Sequence, residues 1–196
     1  MQKIILASQS PRRRELLHLA EIPFEVMAAD TDETYPAGLS FEETAVFIAK
    51  NKGLAVAEKV GKNMIILAAD TIVVCNEKLI AKPKDREDAI RILAELSGNI
   101  HRVITGVYIC QNEKEVSFAD TTTVSFHPLT RDQIIYYIDK YKPYDKAGAY
   151  AIQEWIGAVG IKKTEGDFYN VMGLPISRVV QALEAEFQKI EKGEKV

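Results

Sequence analysis

The stretch Ile65-Ile66-Leu67-Ala68-Ala69-Asp70-Thr71-Ile72-Val73-Val74 decides how the chain folds. A continuous apolar run of this kind reads as a strand buried on both faces. Asp70 interrupts it. A carboxylate inside such a run is costly unless it is paired, hydrogen-bonded or bound to a metal. The plainer reading is an Asp at a strand end, capping a turn, and Thr71 suits that role too. The neighbours are small and β-branched, which argues against the tip of an exposed turn. A functional carboxylate and a structural one both stand at this point.

Upstream, Lys3-Ile4-Ile5-Leu6-Ala7 is a short apolar strand. In Ser8-Gln9-Ser10-Pro11-Arg12-Arg13-Arg14, Ser10 suits a helix N-cap and Pro11 the first helical position. The unit is therefore strand, tight loop and helix N-terminus. Backbone N–H groups and the positive dipole end collect there, so Arg12 and Arg13 are locally unfavourable and a bound anion such as phosphate would offset them. The alternative is a solvated surface, which is the reading for Arg14; a phosphate site is preferred for Arg12 and Arg13. Phe24–Met27 reads as a second strand. The acidic segment Asp30-Thr31-Asp32-Glu33-Thr34 is either a solvated loop or a source of oxygen ligands for a hard cation. Ser40-Phe41-Glu42-Glu43 is a capping box opening a helix to about Val60. Lys50 and Lys52 lie on it, and helix lysines are ordinarily solvated.

Downstream, Asn76-Glu77-Lys78 is a turn, Leu79-Ile80-Ala81 a short strand, and Lys82-Pro83 a break. Asp85 caps a helix to about Leu96 that Ser97-Gly98 ends. Ile100–Cys110 and Glu115–Phe126 form a hairpin about residues 111–114. Thr130-Arg131-Asp132-Gln133 is a second capping box, with a helix to about Tyr141. Residues 142–153 make a loop of small and charged residues, of a kind that can lie against a ligand or simply connect. Ala158–Lys163 reads as a strand and 166–175 as another such loop. Pro175 starts a last amphipathic helix ending near Lys189, where a charged, frayed tail begins. Mixed strands and helices around a central hairpin indicate an α/β fold with a mixed β-sheet and flanking helices.

The 196 residues suit one domain, or one domain with an inserted lobe. The net charge of −3 argues against nucleic acid as a partner, though local basic clusters can still hold a small anion. Cys75 and Cys110 sit in apolar runs and read as core filler, and no Cys/His spacing suggests zinc. The N-terminal apolar stretch is too short for a signal peptide and no run has transmembrane length, so the expectation is a cytoplasmic protein without membrane contact.

Cations near a helix N-terminus, a core-strand carboxylate, an acidic loop, Lys52 and Lys82 together suit a polyphosphate with a divalent metal. Cations neutralise phosphates, carboxylates hold the metal, and one carboxylate can deprotonate water. There is no P-loop, no GxGxxG after a strand and no serine elbow.

Several motifs agree in order with a known family: Ser8-x-Ser10-Pro11-Arg12-Arg13, Ala69-Asp70-Thr71, Lys82-Pro83, Thr105-Gly106-Val107, Asp145-Lys146-Ala147-Gly148-Ala149-Tyr150-x-Ile152-Gln153 and Gly173-Leu174-Pro175. In these the chain resembles the Maf family of nucleoside triphosphate pyrophosphatases, also called septum-formation inhibitors. The resemblance covers nearly the whole chain and makes residues 1–196 a single domain of that type. It implies two lobes around a deep cleft, similar to the inosine triphosphate pyrophosphatases. It also implies hydrolysis of a nucleoside triphosphate to the monophosphate and pyrophosphate, with Mg²⁺ or Mn²⁺ as cofactor.

By position, the resemblance makes Asp70 the proton acceptor. Arg12, Thr71 and Gln153 become the specificity residues, in a combination similar to the dTTP and UTP branch. Ser8, Arg13, Lys52 and Lys82 become phosphate-binding residues, and Glu33 with Asp70 the metal ligands. Ala151 stands where many members of that family have glycine, and Glu154-Trp155 follows Gln153 where a glycine-containing turn is common; both bear on the shape of the base pocket rather than the reaction. The implied roles are clearance of unwanted nucleotides and a link to cell-division arrest, and a homodimer is compatible with them. The alternative is a nucleotide-binding regulator of septum formation with incidental catalysis, which would have no need of a base at Asp70.

Overall fold

The computed structural model describes residues 2–61 and 63–187. Its sheet is built outward from β3 (Ile66–Cys75). Along one edge β3 pairs antiparallel with β5 (Ile100–Gln111), from Ile66 opposite Cys110 to Cys75 opposite His101. Beyond β5 come β6 (Lys114–Phe126) and β7 (Ile161–Glu165), both antiparallel. The other edge of β3 is shared. Its start pairs parallel with β1 (Ile4–Leu6) through Ile66 and Leu67, and β1 pairs parallel with β2 (Phe24–Val26). Its end pairs antiparallel with β4 (Lys78–Ile80) from Val73 onward. The sheet is mixed, as the sequence indicates. Between Leu67 and Val73 this edge of β3 has no strand partner among the described residues, and Asp70 and Thr71 lie in the gap.

Side chains alternate along β3 and feed two cores. On one face Ile66 and Ala68 pack with Ala49 and Val56 of α2 (Phe41–Val60). On the other, Leu67, Ala69 and Val73 join Leu16 and Leu17 of α1 (Pro11–Leu19), Leu93 of α3 (Arg86–Leu96) and Ile138 of α4 (Arg131–Tyr141). Two glycines let α2 lie directly on the sheet. A Cβ on Gly106 would sit 2.2 Å from the backbone carbon of Ala45, and one on Gly53 would sit 2.5 Å from the Tyr108 ring. This close approach brings Lys52 over Asp70.

The capping signals act as the sequence predicts. Ser40 with Glu43 and Thr130 with Gln133 form complete capping boxes, and Asp85 accepts from the Asp88 N–H. The turn at Asn76 and Glu77 has both residues at positive φ, as a two-residue hairpin requires. Cys75 and Cys110 are buried free thiols. No helix among the described residues is long and apolar enough to cross a membrane.

Four local expectations change. Ser10 occupies the N-cap of α1 without making the side-chain bond; its own N–H donates to Ser8 Oγ at 3.2 Å. The expected strand from Ala158 begins only at Ile161, because Trp155–Gly160 form a helix, α5. Gly157 makes that possible, since a Cβ there would lie 1.7 Å from the carbonyl oxygen of Ile152. The expected loop 166–175 contains α6 (Phe168–Met172), capped by Asp167 and closed by Gly173 at φ 117°. Five residues are too few to show a helical period in the sequence. The last helix, α7 (Ile176–Ala182), passes into a π-helical turn at Leu183–Phe187. The expected end near Lys189 and the charged tail lie outside the described residues.

Candidate active site

The gap in the β3 edge opens into a cavity of about 350 Å³. The loop after β1 and the N-terminus of α1 form part of its wall. The 145–151 segment and residues 171–173 form another part. Ser8, Arg12, Arg13, Lys52, Asp70, Thr71 and Lys82 all line it, so most of the residues singled out in the sequence converge here.

Asp70 lies on the α2 face of the sheet, in phase with Ile66 and Ala68. Lys52 Nζ donates to Asp70 Oδ1 and to Glu33 Oε1, each at 2.7 Å. The side chains of Lys52 and Asp70 are largely covered, while Glu33 is exposed on the irregular segment between β2 and α2. The hydrogen bond from Lys52 outweighs burial and holds the Glu33 carboxyl below its ordinary range. Asp70 Oδ2 accepts no hydrogen bond among the described residues. Glu33 does not itself line the cavity; it reaches the site through Lys52.

Arg13 is buried and ties three elements together. Its Nε donates to the Gly173 carbonyl at 2.8 Å, Nη1 to Ser8 Oγ at 3.0 Å and Nη2 to Thr71 Oγ1 at 3.0 Å. Burial lowers its pKa from the ordinary value, and the nearby Asp70 charge opposes that. The network continues through hydroxyls. Thr105 Oγ1 donates to the Asn170 carbonyl at 3.1 Å, so Thr71 Oγ1 is left as the donor to Thr105 Oγ1 at 2.9 Å. The Thr71 hydroxyl is thereby committed to holding Arg13 and Thr105.

Arg12 donates from Nη1 to Asp145 Oδ2 at 2.9 Å. Lys82 is exposed and makes no hydrogen bond or ion pair among the described residues, yet its charge reaches Glu33. Gln153 stands apart: it is exposed and outside the cavity lining, two residues beyond Ala151, which is part of that lining. Sequence reasoning assigned no role to Asp145 and Lys146, both of which line the cavity. Their signals were a charged pair at the head of a loop of small residues and their place at the start of the motif that runs to Gln153.

Whether a divalent metal fits can be judged from the donors. Two carboxylates converge on one ammonium at Lys52, a position suited to positive charge. Among the described residues no group of three or more His, Cys, Asp or Glu could hold a metal. A divalent ion held by Glu33 and Asp70 alone would need further oxygen ligands to complete its shell.

Residues 3–186 match the profile of the family described as Maf-like protein. A dTTP/UTP pyrophosphatase of Cytophaga hutchinsonii is 52% identical over 184 residues, covering 94% of this chain and 84% of that protein. One from Parabacteroides distasonis is 46% identical over 182 residues, covering 92% and 94%. One from Bacillus velezensis is 44% identical over 182 residues, covering 93% and 95%. Among solved structures, the Ham1 protein of Staphylococcus aureus overlaps 64% of this chain and 72% of its own, with a TM-score of 0.46 and 16% identity.

Proposed function

Because this chain belongs to the Maf-like protein family, we propose that it hydrolyses dTTP and UTP to the monophosphate and pyrophosphate. The names carried by its relatives support the reaction. The observation that carries the reading is the placement of Asp70. It lies on an unpaired stretch of a core strand, with one carboxylate oxygen held by Lys52 and the other free of hydrogen bonds among the described residues, within a cavity rich in cations.

In this mechanism Asp70 takes a proton from a water placed to attack the α-phosphorus, and pyrophosphate leaves. Lys52 fixes the orientation of the carboxylate. Arg12, Arg13 and Lys82 offset the charge that builds on the phosphate oxygens, with Ser8 and the N–H groups at the start of α1 as further donors. Three of the five N–H bonds of Arg13 are used within the protein, so its remaining donors and its charge act from a fixed position. A divalent cation would be held by Glu33 and Asp70 and would neutralise phosphate charge. Gln153 is the proposed reader of the base, its amide unengaged among the described residues. Thr71 serves the choice indirectly by fixing Arg13.

The test is pyrophosphate release from dTTP, UTP, GTP and ATP with Mg²⁺ or Mn²⁺. The pyrimidine triphosphates should show the higher kcat/KM, and the difference should shrink in Gln153→Ala. Equal values for purines and pyrimidines would reject the branch assignment. No release from any of the four would reject the reaction.

A further inference from the structure

Arg12 and Lys146 share one carboxylate. Arg12 Nη1 lies 2.9 Å from Asp145 Oδ2, and Lys146 Nζ lies 2.8 Å from Asp145 Oδ1. The side chains differ in exposure: 10% for Lys146 and 20% for Arg12, but 56% for Asp145. The cations are fixed in the cavity wall, and the carboxylate between them is the one that solvent can reach.

Lys146 is held from behind. Its Nζ lies 3.7 Å from Glu154 Oε1. Glu154 also accepts from the Tyr137 hydroxyl, whose oxygen accepts the Ala151 N–H at 3.1 Å. The backbone after Lys146 is unusual. Gly148 and Ala149 are both left-handed, at φ 73° and 57°, and Ala149 is buried. A non-glycine residue in that conformation is strained and persists only where its surroundings impose it. The turn keeps the Lys146 ammonium against the cavity. A lysine this covered needs an anion, but nothing requires that anion to be Asp145. A phosphate group offers the same oxygens to a guanidinium and an ammonium.

The geometry points to Lys146 as a further substrate-binding residue, which with Arg12 forms a phosphate subsite that Asp145 occupies until a ligand displaces it. This deepens the triphosphate reading above and rests on it for the identity of the ligand. Asp145 then acts as a tethered competitor. Apparent affinity falls by the fraction of molecules in which the carboxylate has vacated the cations, so removing its charge restores that fraction.

The experiment is a calorimetric titration of inorganic pyrophosphate, without added divalent metal, into the wild type, Asp145→Asn and Lys146→Gln. Pyrophosphate should bind roughly threefold or more tightly to Asp145→Asn, and about tenfold more weakly to Lys146→Gln. A gain in affinity is not something structural damage produces, so the Asp145→Asn arm stands even if Lys146→Gln folds poorly. Unchanged or weaker binding by Asp145→Asn would overturn the proposal, as would wild-type affinity in Lys146→Gln or no binding by the wild type. Hydrolysis is scored separately. Binding shifts in the expected directions without hydrolysis of any triphosphate would uphold the subsite and remove the pyrophosphatase reading. Hydrolysis without those shifts would do the reverse.

Discussion

Arg13 carries its charge at a position only 9% exposed. A guanidinium tolerates such a position because its planar fork satisfies several acceptors at once. Here the acceptors come from three separate parts of the chain: Ser8 after β1, Thr71 on β3 and the carbonyl of Gly173 after α6. Replacing Arg13 with Met would leave the Gly173 carbonyl and two hydroxyls without this donor. We expect a loss of about 2–4 kcal/mol in urea-unfolding stability, and a fall in kcat, because the charge beside Asp70 goes too. Stability within error of the wild type would show that the three segments are held by something else. The contribution of Arg13 to the cavity was visible in sequence, because the strand, the loop and the Ser-Pro-Arg-Arg run are contiguous, whereas that of Ser8 came from the family resemblance. The commitment of Thr71 to Arg13 and Thr105 was not visible, since it depends on a hydroxyl 34 residues away and a guanidinium 58 residues away.

Helix α2 is the element that sets the distance between Lys52 and Asp70. Its N-terminus is fixed by local chemistry, the Ser40 and Glu43 capping box, and so its start was legible from four residues. Its height above the sheet is fixed by Gly106 on β5 and by Gly53 on the helix itself, a contact between distant segments that no local pattern announces. Gly106→Ala would place a methyl within 2.4 Å of the Ala45 backbone, and backbone cannot yield as a side-chain tip does. The expected cost is about 3 kcal/mol, with kcat reduced further as Lys52 is lifted from Asp70. Thermal unfolding alongside steady-state kinetics would check it; an unchanged Tm would mean that α2 accommodates the methyl. The same division between local and distant causes explains α5 and α6. Asp167 and Gly173 bound a helix too short to show periodicity, and the start of α5 depends on Gly157 meeting Ile152.

Across the whole molecule, the two edges of β3 differ, one paired along its length and the other interrupted where Asp70 lies. On the β5 side pairing is continuous, and near its far end His101 sits in the core with Phe126 and Tyr150, its Nε2 2.7 Å from the Tyr150 hydroxyl. Burial lowers its pKa to about 4. The unfolded chain, with a histidine near 6.5, binds this proton first as pH falls, so stability is present above 6.5 and is lost between 6.5 and about 4. The loss from this group should approach about 3 kcal/mol, seen as a falling urea midpoint that flattens in His101→Gln. An equal pH slope in both proteins would remove His101 as its source. On the other side, β1 ends too soon and β4 begins too late, and the gap holds Asp70. The apolar run and its carboxylate were legible in sequence, whereas the gap was not, because it follows from the register of two other strands. Asp70→Asn tests the central claim most directly, since the substitution is nearly isosteric and removes the charge and the basicity. Pyrophosphate release from dTTP by the folded variant should fall by a factor of about 10² or more at saturating substrate, with Tm close to the wild type. A folded Asp70→Asn protein that releases pyrophosphate at the wild-type rate would contradict the account.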